Sequence, residues 1–325
     1  MQKNNRKSAQ RNRQIEGGGF KMSCPVSVLR CKYNIVFDLD EVLCIDTVGS
    51  GQAPFFKDRG LILDAICPHY IFPGAKELIA FLYRMDEIRV SFFSAGRDIR
   101  NEPLVHALLK SSLSKQEYEK IKEGVQIYSR QHTTEDTPAE KEDFSKCFGV
   151  YKQKKRKNLQ SIPKNGESLE DTVLIDDDHT NILVGQIKNH LFVERTEARH
   201  FESLRTDPKD NVHIVNRIYY VAGLLFAAIN KSKVENIFLS EALFRIQYKL
   251  KENQEKFHFR EEILSEDLYY RLGLETLRAI KPDLQFTTRE SYLASVGRPQ
   301  TAEEVAYFED LIRQKKEIDE VYLPR

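Results

Sequence analysis

At 325 residues the chain is long enough for two ordinary domains. Its hydrophobic content of 41% is globular, and 50 Lys plus Arg balance 49 Asp plus Glu, so overall charge selects no partner and argues against nucleic acid. Five cysteines, Cys24, Cys31, Cys44, Cys67 and Cys147, form no C-x-x-C pair and exclude a disulfide framework, which points to a reducing compartment.

Residues 1–32 are basic, with Lys3, Arg6, Lys7, Arg11, Arg13, Lys21, Arg30 and Lys32 against the single acid Glu16. They carry Gly17-Gly18-Gly19 and lack the apolar core of a secretory signal, so they read as a flexible lead-in. Three short apolar runs follow. Ile35-Val36-Phe37 ends in acids, Arg89-Val90-Ser91-Phe92-Phe93 ends in Ser94-Ala95-Gly96, and Thr172-Val173-Leu174-Ile175 ends in Asp176-Asp177-Asp178. Runs of this kind suit buried strands of a parallel sheet. Pro73-Gly74-Ala75 opens a helical pattern between the first two, completing a strand–helix–strand unit. Ligands of such sheets gather at the carboxyl ends of the strands, where the acids and the serine sit.

The texture changes near residue 200. Residues 212–229, 234–251, 260–280 and 301–318 read as successive helices, and strand signals stop. The most apolar stretch, 214–229, contains Asn216 and Arg217 and is too short to span a bilayer. The expected fold is therefore α/β, a Rossmann-like parallel sheet over 33–199, followed by an all-helical domain over 200–325.

The chemistry starts at Phe37-Asp38-Leu39-Asp40. Two carboxylates at a sharp strand end can divide labour, Asp38 attacking phosphorus while Asp40 exchanges a proton with the ester oxygen. Close carboxylates repel, so a divalent cation is expected, and Mg2+ suits a site of few carboxylates that leaves room for phosphate. A solvated strand-end turn explains D-x-D alone equally well. Asp176 and Asp177, at a second strand end, shift that balance by supplying further metal oxygens. His179 reads as a loop-lining residue. Ser94 offers a hydroxyl and nearby backbone N–H groups for a phosphoryl oxygen. A cation is expected from Lys154, Lys155 or Lys157, with Lys157 favoured.

With these residues in place, the stretch 33–195 resembles the haloacid-dehalogenase-like superfamily. Its four motifs correspond to Phe37 through Leu43, Ser94, Lys157, and Asp176 with Asp177. The resemblance implies an aspartyl-phosphate on Asp38, with Asp40 acting as acid and then base. It also implies Mg2+ held by the Asp38 carboxylate, the Asp40 backbone carbonyl, and Asp176 or Asp177. An acid at position 40 is the phosphatase version of the motif. The segment 70–78 is similar to that of cap-less phosphatases acting on proteins, although Ser94 replaces their usual threonine and 95–150 is longer. About 30 residues separate the first motif from Pro73, room for a flap and not a globular cap, which points to a macromolecular substrate.

The layout is also similar to that of bacterial effector phosphatases that act on phosphotyrosine and attach to host membranes through phosphoinositides. It implies a phosphoprotein substrate and a cytoplasmic protein, peripherally attached to anionic lipid through 200–325, or secreted into a host cytosol. Residues 200–325 match no motif; their aromatics fall at helical spacing and read as packed core, with a basic phosphoinositide pocket as the functional alternative. Two rivals stand beside this reading. One is a membrane or protein interaction module that keeps the fold without turnover; the other is a phosphatase of nucleic-acid ends or small esters.

Overall fold

The computed structural model describes residues 32–47, 62–63, 69–135, 137–138, 141, 155–164, 167–206, 211–254 and 267–296. Five strands form one parallel sheet: β1 (Tyr33–Phe37), β5 (Ile88–Phe93), β6 (Gln126–Tyr128), β9 (Thr172–Asp176) and β10 (His190–Phe192). Their spatial order is β10-β9-β1-β5-β6. The runs expected at 35–37, 89–93 and 172–175 are the three central strands. The short edge strands β6 and β10 carry too few residues for a pattern to show.

β1 is buried along its whole length and is paired on both sides, which is why it reads as an unbroken apolar run. Tyr33, Ile35 and Phe37 face the larger apolar cluster, whereas Val36 faces a smaller one with Phe93, Leu159, Ile162, Leu174 and Ile182. This is the alternation of a strand covered on both faces. The register sets Phe37 opposite Phe92 on one side and Ile175 on the other. Asp38, Ser94 and Asp176 therefore leave the sheet at nearly the same level.

Between β1 and the helix α1 (Ala75–Tyr83) the chain makes a three-stranded antiparallel sheet, with β2 (Cys44–Asp46) and β3 (Ile62–Leu63) flanking β4 (His69–Ile71). The helix α2 (Asp98–Ser112) follows β5 and leads to α3 (Lys115–Ile121), which a Ser114–Glu117 capping box starts. A two-strand ribbon joins β7 (Thr134–Glu135) to β8 (Lys155–Arg156) and delivers Lys157 to the sheet.

Beyond β10 the described elements are helices: α4 (Ala198–Thr206), α5 (Val212–Val215), α6 (Arg217–Glu235), α7 (Leu239–Gln254), α8 (Leu268–Arg278) and α9 (Arg289–Val296). The helix expected over 212–229 is broken at Asn216. The side chain of Asn216 donates to the carbonyls of Val212 (2.8 Å) and Thr287 (2.9 Å) and accepts from the Thr287 N–H (2.8 Å), so it serves the later chain and leaves the helix. The helix expected over 234–251 starts at Leu239, after Asn236 ends α6 in the left-handed conformation. The expected helix at 301–318, most of the basic lead-in and Lys154 lie outside the described residues.

Val221, Leu224, Leu225 and Ala228 of α6 belong to the same buried cluster as Tyr33 and Ile35 of β1, so the apolar core runs across position 200. Tyr33 Oη and Ser232 Oγ meet at 3.1 Å inside it. Among the described residues no helix is long and apolar enough to cross a membrane.

Candidate active site

The turn after β1 builds the first part of the site. The Asp38 N–H donates to the Ile175 carbonyl (2.9 Å), carrying the sheet ladder one residue further and fixing the Asp38 backbone. The chain then folds back at once: the Leu43 and Cys44 N–H groups donate to the Leu39 carbonyl, and the Glu41 N–H donates to the Cys44 carbonyl at 2.7 Å. Such a tight reversal places Glu41 at a φ of 61°, a left-handed conformation that a glutamate adopts at a cost of about 1 kcal/mol or more. The reversal separates Asp40 from Asp38 and turns it toward β5.

Lys157 is 1% exposed, and its ammonium lies between two carboxylates, 2.7 Å from Asp38 Oδ2 and 2.5 Å from Asp176 Oδ2. Of the two described lysines expected as candidates, Lys155 is exposed and Lys157 is the one in the site. The other oxygen of Asp38 accepts from the Leu39 N–H (2.7 Å). The other oxygen of Asp176 accepts from the Asp178 N–H (2.8 Å) and from Asn181 Nδ2 (2.9 Å). Asp176 is thus committed on both oxygens to protein donors. Asp177 lies beside it with its side chain 5% exposed and its Oδ2 2.8 Å from Arg195 Nε.

The carboxylates of Asp38, Asp176 and Asp177 each bring an oxygen within 4.8 Å of the others. The donors are all oxygen and all anionic, which fits a hard divalent cation without singling out magnesium. Asp38 and Asp176 both have their two oxygens held by protein donors, whereas Asp177 is tied through Oδ2 to Arg195, so of the pair expected at 176 and 177 it is Asp177 that has an oxygen to spare. The Asp40 carboxylate is not part of this group and is held instead by Ser94 and Arg100.

Asp40 and Ser94 form the second half. Ser94 Oγ donates to Asp40 Oδ2 (3.2 Å) and accepts from the Gly96 N–H (3.1 Å). Arg100, in the first turn of α2, grips both oxygens of Asp40, Nη1 to Oδ1 at 2.8 Å and Nη2 to Oδ2 at 2.6 Å.

Charge is in short supply. Asp38, Asp40, Glu41, Asp176 and Asp177 share Lys157, Arg100 and Arg195. Burial pushes the Asp38 carboxyl up to about 8, Lys157 pulls it back, and Asp176 and Asp40 push it further up. Burial acts to strip Lys157 of its proton, but the two carboxylates outweigh it and hold the ammonium above its ordinary value. Glu41 is pushed up to about 7 by burial, against the pull of Arg195. Asp177 is raised, by burial first and by Asp176 second. Burial depresses the imidazole of His190, beside Asp176, to about 4, so it is neutral near pH 7.

The structure brings together every residue anticipated for the site: Asp38, Asp40, Ser94, Lys157, Asp176 and Asp177. Arg100, Arg195 and Asn181 were not anticipated. Arg195 follows β10, at the carboxyl end of a fourth strand, and would have been found had that three-residue strand been recognised. Arg100 had a weaker signal, a basic residue six positions after the strand-ending serine. His179 lies 5.9 Å from Phe192, ring to ring, on the loop after β9.

No protein-family model matches the sequence, and no curated protein matches it.

Proposed function

We propose that this chain is a Mg2+-dependent phosphatase of the haloacid-dehalogenase-like superfamily that works through an aspartyl-phosphate on Asp38. The observation that carries the reading is the Lys157 ammonium shared by Asp38 and Asp176, at the carboxyl end of a parallel sheet, with Asp177 within reach of the same point. Asp38 Oδ attacks phosphorus and the bond to the ester oxygen breaks. Asp40 gives that oxygen a proton, then takes one from the water that cleaves the phospho-aspartate. Lys157 balances the charge of the modified Asp38, and Ser94 Oγ with the Gly96 N–H side of its loop receives phosphoryl oxygens. A bound Mg2+ would supply the positive charge that lets a phosphate dianion approach these carboxylates.

The substrate in this reading is a phosphoprotein, with phosphotyrosine favoured. Support comes from the short segment between β1 and α1, which has too few residues for a globular cap and whose described part is the small antiparallel sheet of β2, β3 and β4. Attachment to anionic lipid through residues beyond 200 is part of the proposal. It is supported by Val234 and Phe238, 85% and 52% exposed beside the ion-paired Lys231, Lys233 and Arg245. Delivery into a host cytosol rests on the layout alone.

The test is hydrolysis of an aryl phosphate, a phosphotyrosine peptide and a phosphoserine peptide by the full chain, with Mg2+ and with excess chelator. Hydrolysis that needs the cation supports the proposal, and a preference for the phosphotyrosine peptide supports the substrate. Full activity in chelator would rule out the mechanism.

A further inference from the structure

Arg100 is held in a way that a simple brace for Asp40 does not require. Its Nε and Nη2 donate to Asn101 Oδ1 at 3.0 and 2.8 Å, and Asn101, fully buried, donates in turn to Ser129 Oγ at 3.0 Å. One edge of the guanidinium is therefore anchored to the protein interior. The outer pair, Nη1 and Nη2, faces the site and takes both oxygens of Asp40, while Nη2 also donates to Ser94 Oγ at 3.0 Å. Gly96 makes room for this: a Cβ there would lie 2.3 Å from Nη2. The guanidinium thus sits on the hydroxyl that receives phosphoryl oxygens, with its fork filled by a carboxylate of the same planar, two-oxygen shape that a phosphate presents.

That arrangement conflicts with the work assigned to Asp40. A carboxylate whose two oxygens are both paired with one guanidinium, and one of them with Ser94 as well, is held ionised and in place by donors, which opposes its carrying a proton to a leaving group. The conflict disappears if the fork changes partner. We propose that Arg100 is a phosphate-binding residue that Asp40 occupies in the resting protein. The substrate's phosphate takes the guanidinium from Asp40, and the carboxylate is released toward the ester oxygen. Binding and the readiness of Asp40 are then one event, and water alone does not free the carboxylate. This inference rests on the phosphatase reading for the role of Asp40, but the anion site it names is measurable without turnover.

The experiment is titration calorimetry of the full chain with inorganic phosphate in the presence of Mg2+, using Arg100→Gln, Arg100→Lys, Asp40→Ala and the Asp40→Ala/Arg100→Gln double variant. Thermal melting shows that each is folded. Arg100→Gln should bind phosphate about tenfold more weakly or worse, as expected for loss of a charge-assisted fork. Arg100→Lys keeps the charge without the fork and should fall between. Asp40→Ala should tighten phosphate in the Arg100 background, because nothing then competes for the guanidinium, and that gain should vanish in the Arg100→Gln background. Wild-type affinity in both Arg100 variants would overturn the proposal. So would a gain from Asp40→Ala that is equal in the two backgrounds, because that is simple removal of a repelling charge. If Arg100→Gln does not fold, Arg100→Lys carries the test, and wild-type affinity there is the contrary result. Arg100-dependent phosphate binding by a protein that hydrolyses no phosphomonoester would defeat the phosphatase reading and leave the anion site standing.

Discussion

The acidic end of the sheet and the helices after residue 198 solve burial in opposite ways. The sheet end buries the carboxylates of Asp38, Asp176 and Asp177, leaves those of Asp40 and Glu41 partly exposed, and balances the five incompletely with Lys157, Arg100 and Arg195. The described residues of the helices bury almost no charge. α6 and α8 instead approach so closely that a Cβ on Gly273 would lie 1.7 Å from the Tyr219 carbonyl oxygen, and one on Gly223 would lie 2.0 Å from that of Tyr269. One region holds buried charge at a cost in stability, and the other supplies stability by apolar contact. The two share a core, so the contrast is testable within one folding unit.

The sharpest separation is expected at Asp38. Asp38→Asn should lower aryl phosphate turnover on the order of 10^4-fold or more, the scale seen when a nucleophile is removed. The same change should leave the melting temperature in chelator unchanged or higher, because it removes a carboxylate whose ionisation burial opposes. Turnover near wild type would refute the assignment.

Gly273→Ala should do the reverse. With backbone atoms of α6 in the way, α8 has to shift, at a cost of about 3 kcal/mol. The melting temperature should fall clearly, while KM and kcat of the folded fraction stay close to wild type at a lower temperature. A large change in KM with an unchanged melting temperature would show that the helices take part in the site.

A smaller effect links cation and pH. Asp38 and Glu41 have carboxyls raised to about 8 and about 7 in the folded state, above their ordinary values near 4. The folded protein therefore holds protons that the unfolded chain has released, and in chelator its stability is lost as pH rises from about 4 to about 8. Mg2+ favours the ionised carboxylates, so its stabilising shift in melting temperature should be larger at pH 8 than at pH 5. Equal shifts at both pH values would contradict the account of the buried charge.

The same contrast explains what could be read in advance. Strands β1, β5 and β9 were legible because β-branched and aromatic runs end abruptly in small polar residues, and the acids at those ends marked the site. Lys157 was favoured among three lysines for its place before the segment that leads into β9, but nothing in Lys154-Lys155-Arg156-Lys157 itself tells which side chain turns inward. The two arginines were not legible. Arg100 acts through the start of a helix with no side-chain cap and Pro103 inside it, and Arg195 through an edge strand of three residues. Which of Asp176 and Asp177 turns to the lysine depends on the Asn181 loop, a contact that local pattern does not encode. Among the helices, composition gave the type, but the break at Asn216 answers to Thr287, 71 residues away.

The central claim is that Asp38 becomes phosphorylated, and trapping the intermediate tests it most directly. Asp40→Asn lacks the group that takes a proton from the attacking water, so it should accumulate the phospho-enzyme when supplied with an aryl phosphate and Mg2+. After acid quench, intact mass should rise by one phosphoryl group, and peptide mapping should place it on Asp38. Turnover by the wild type, together with a phosphoryl group found on another residue or none found in the trapped variant, would contradict the account.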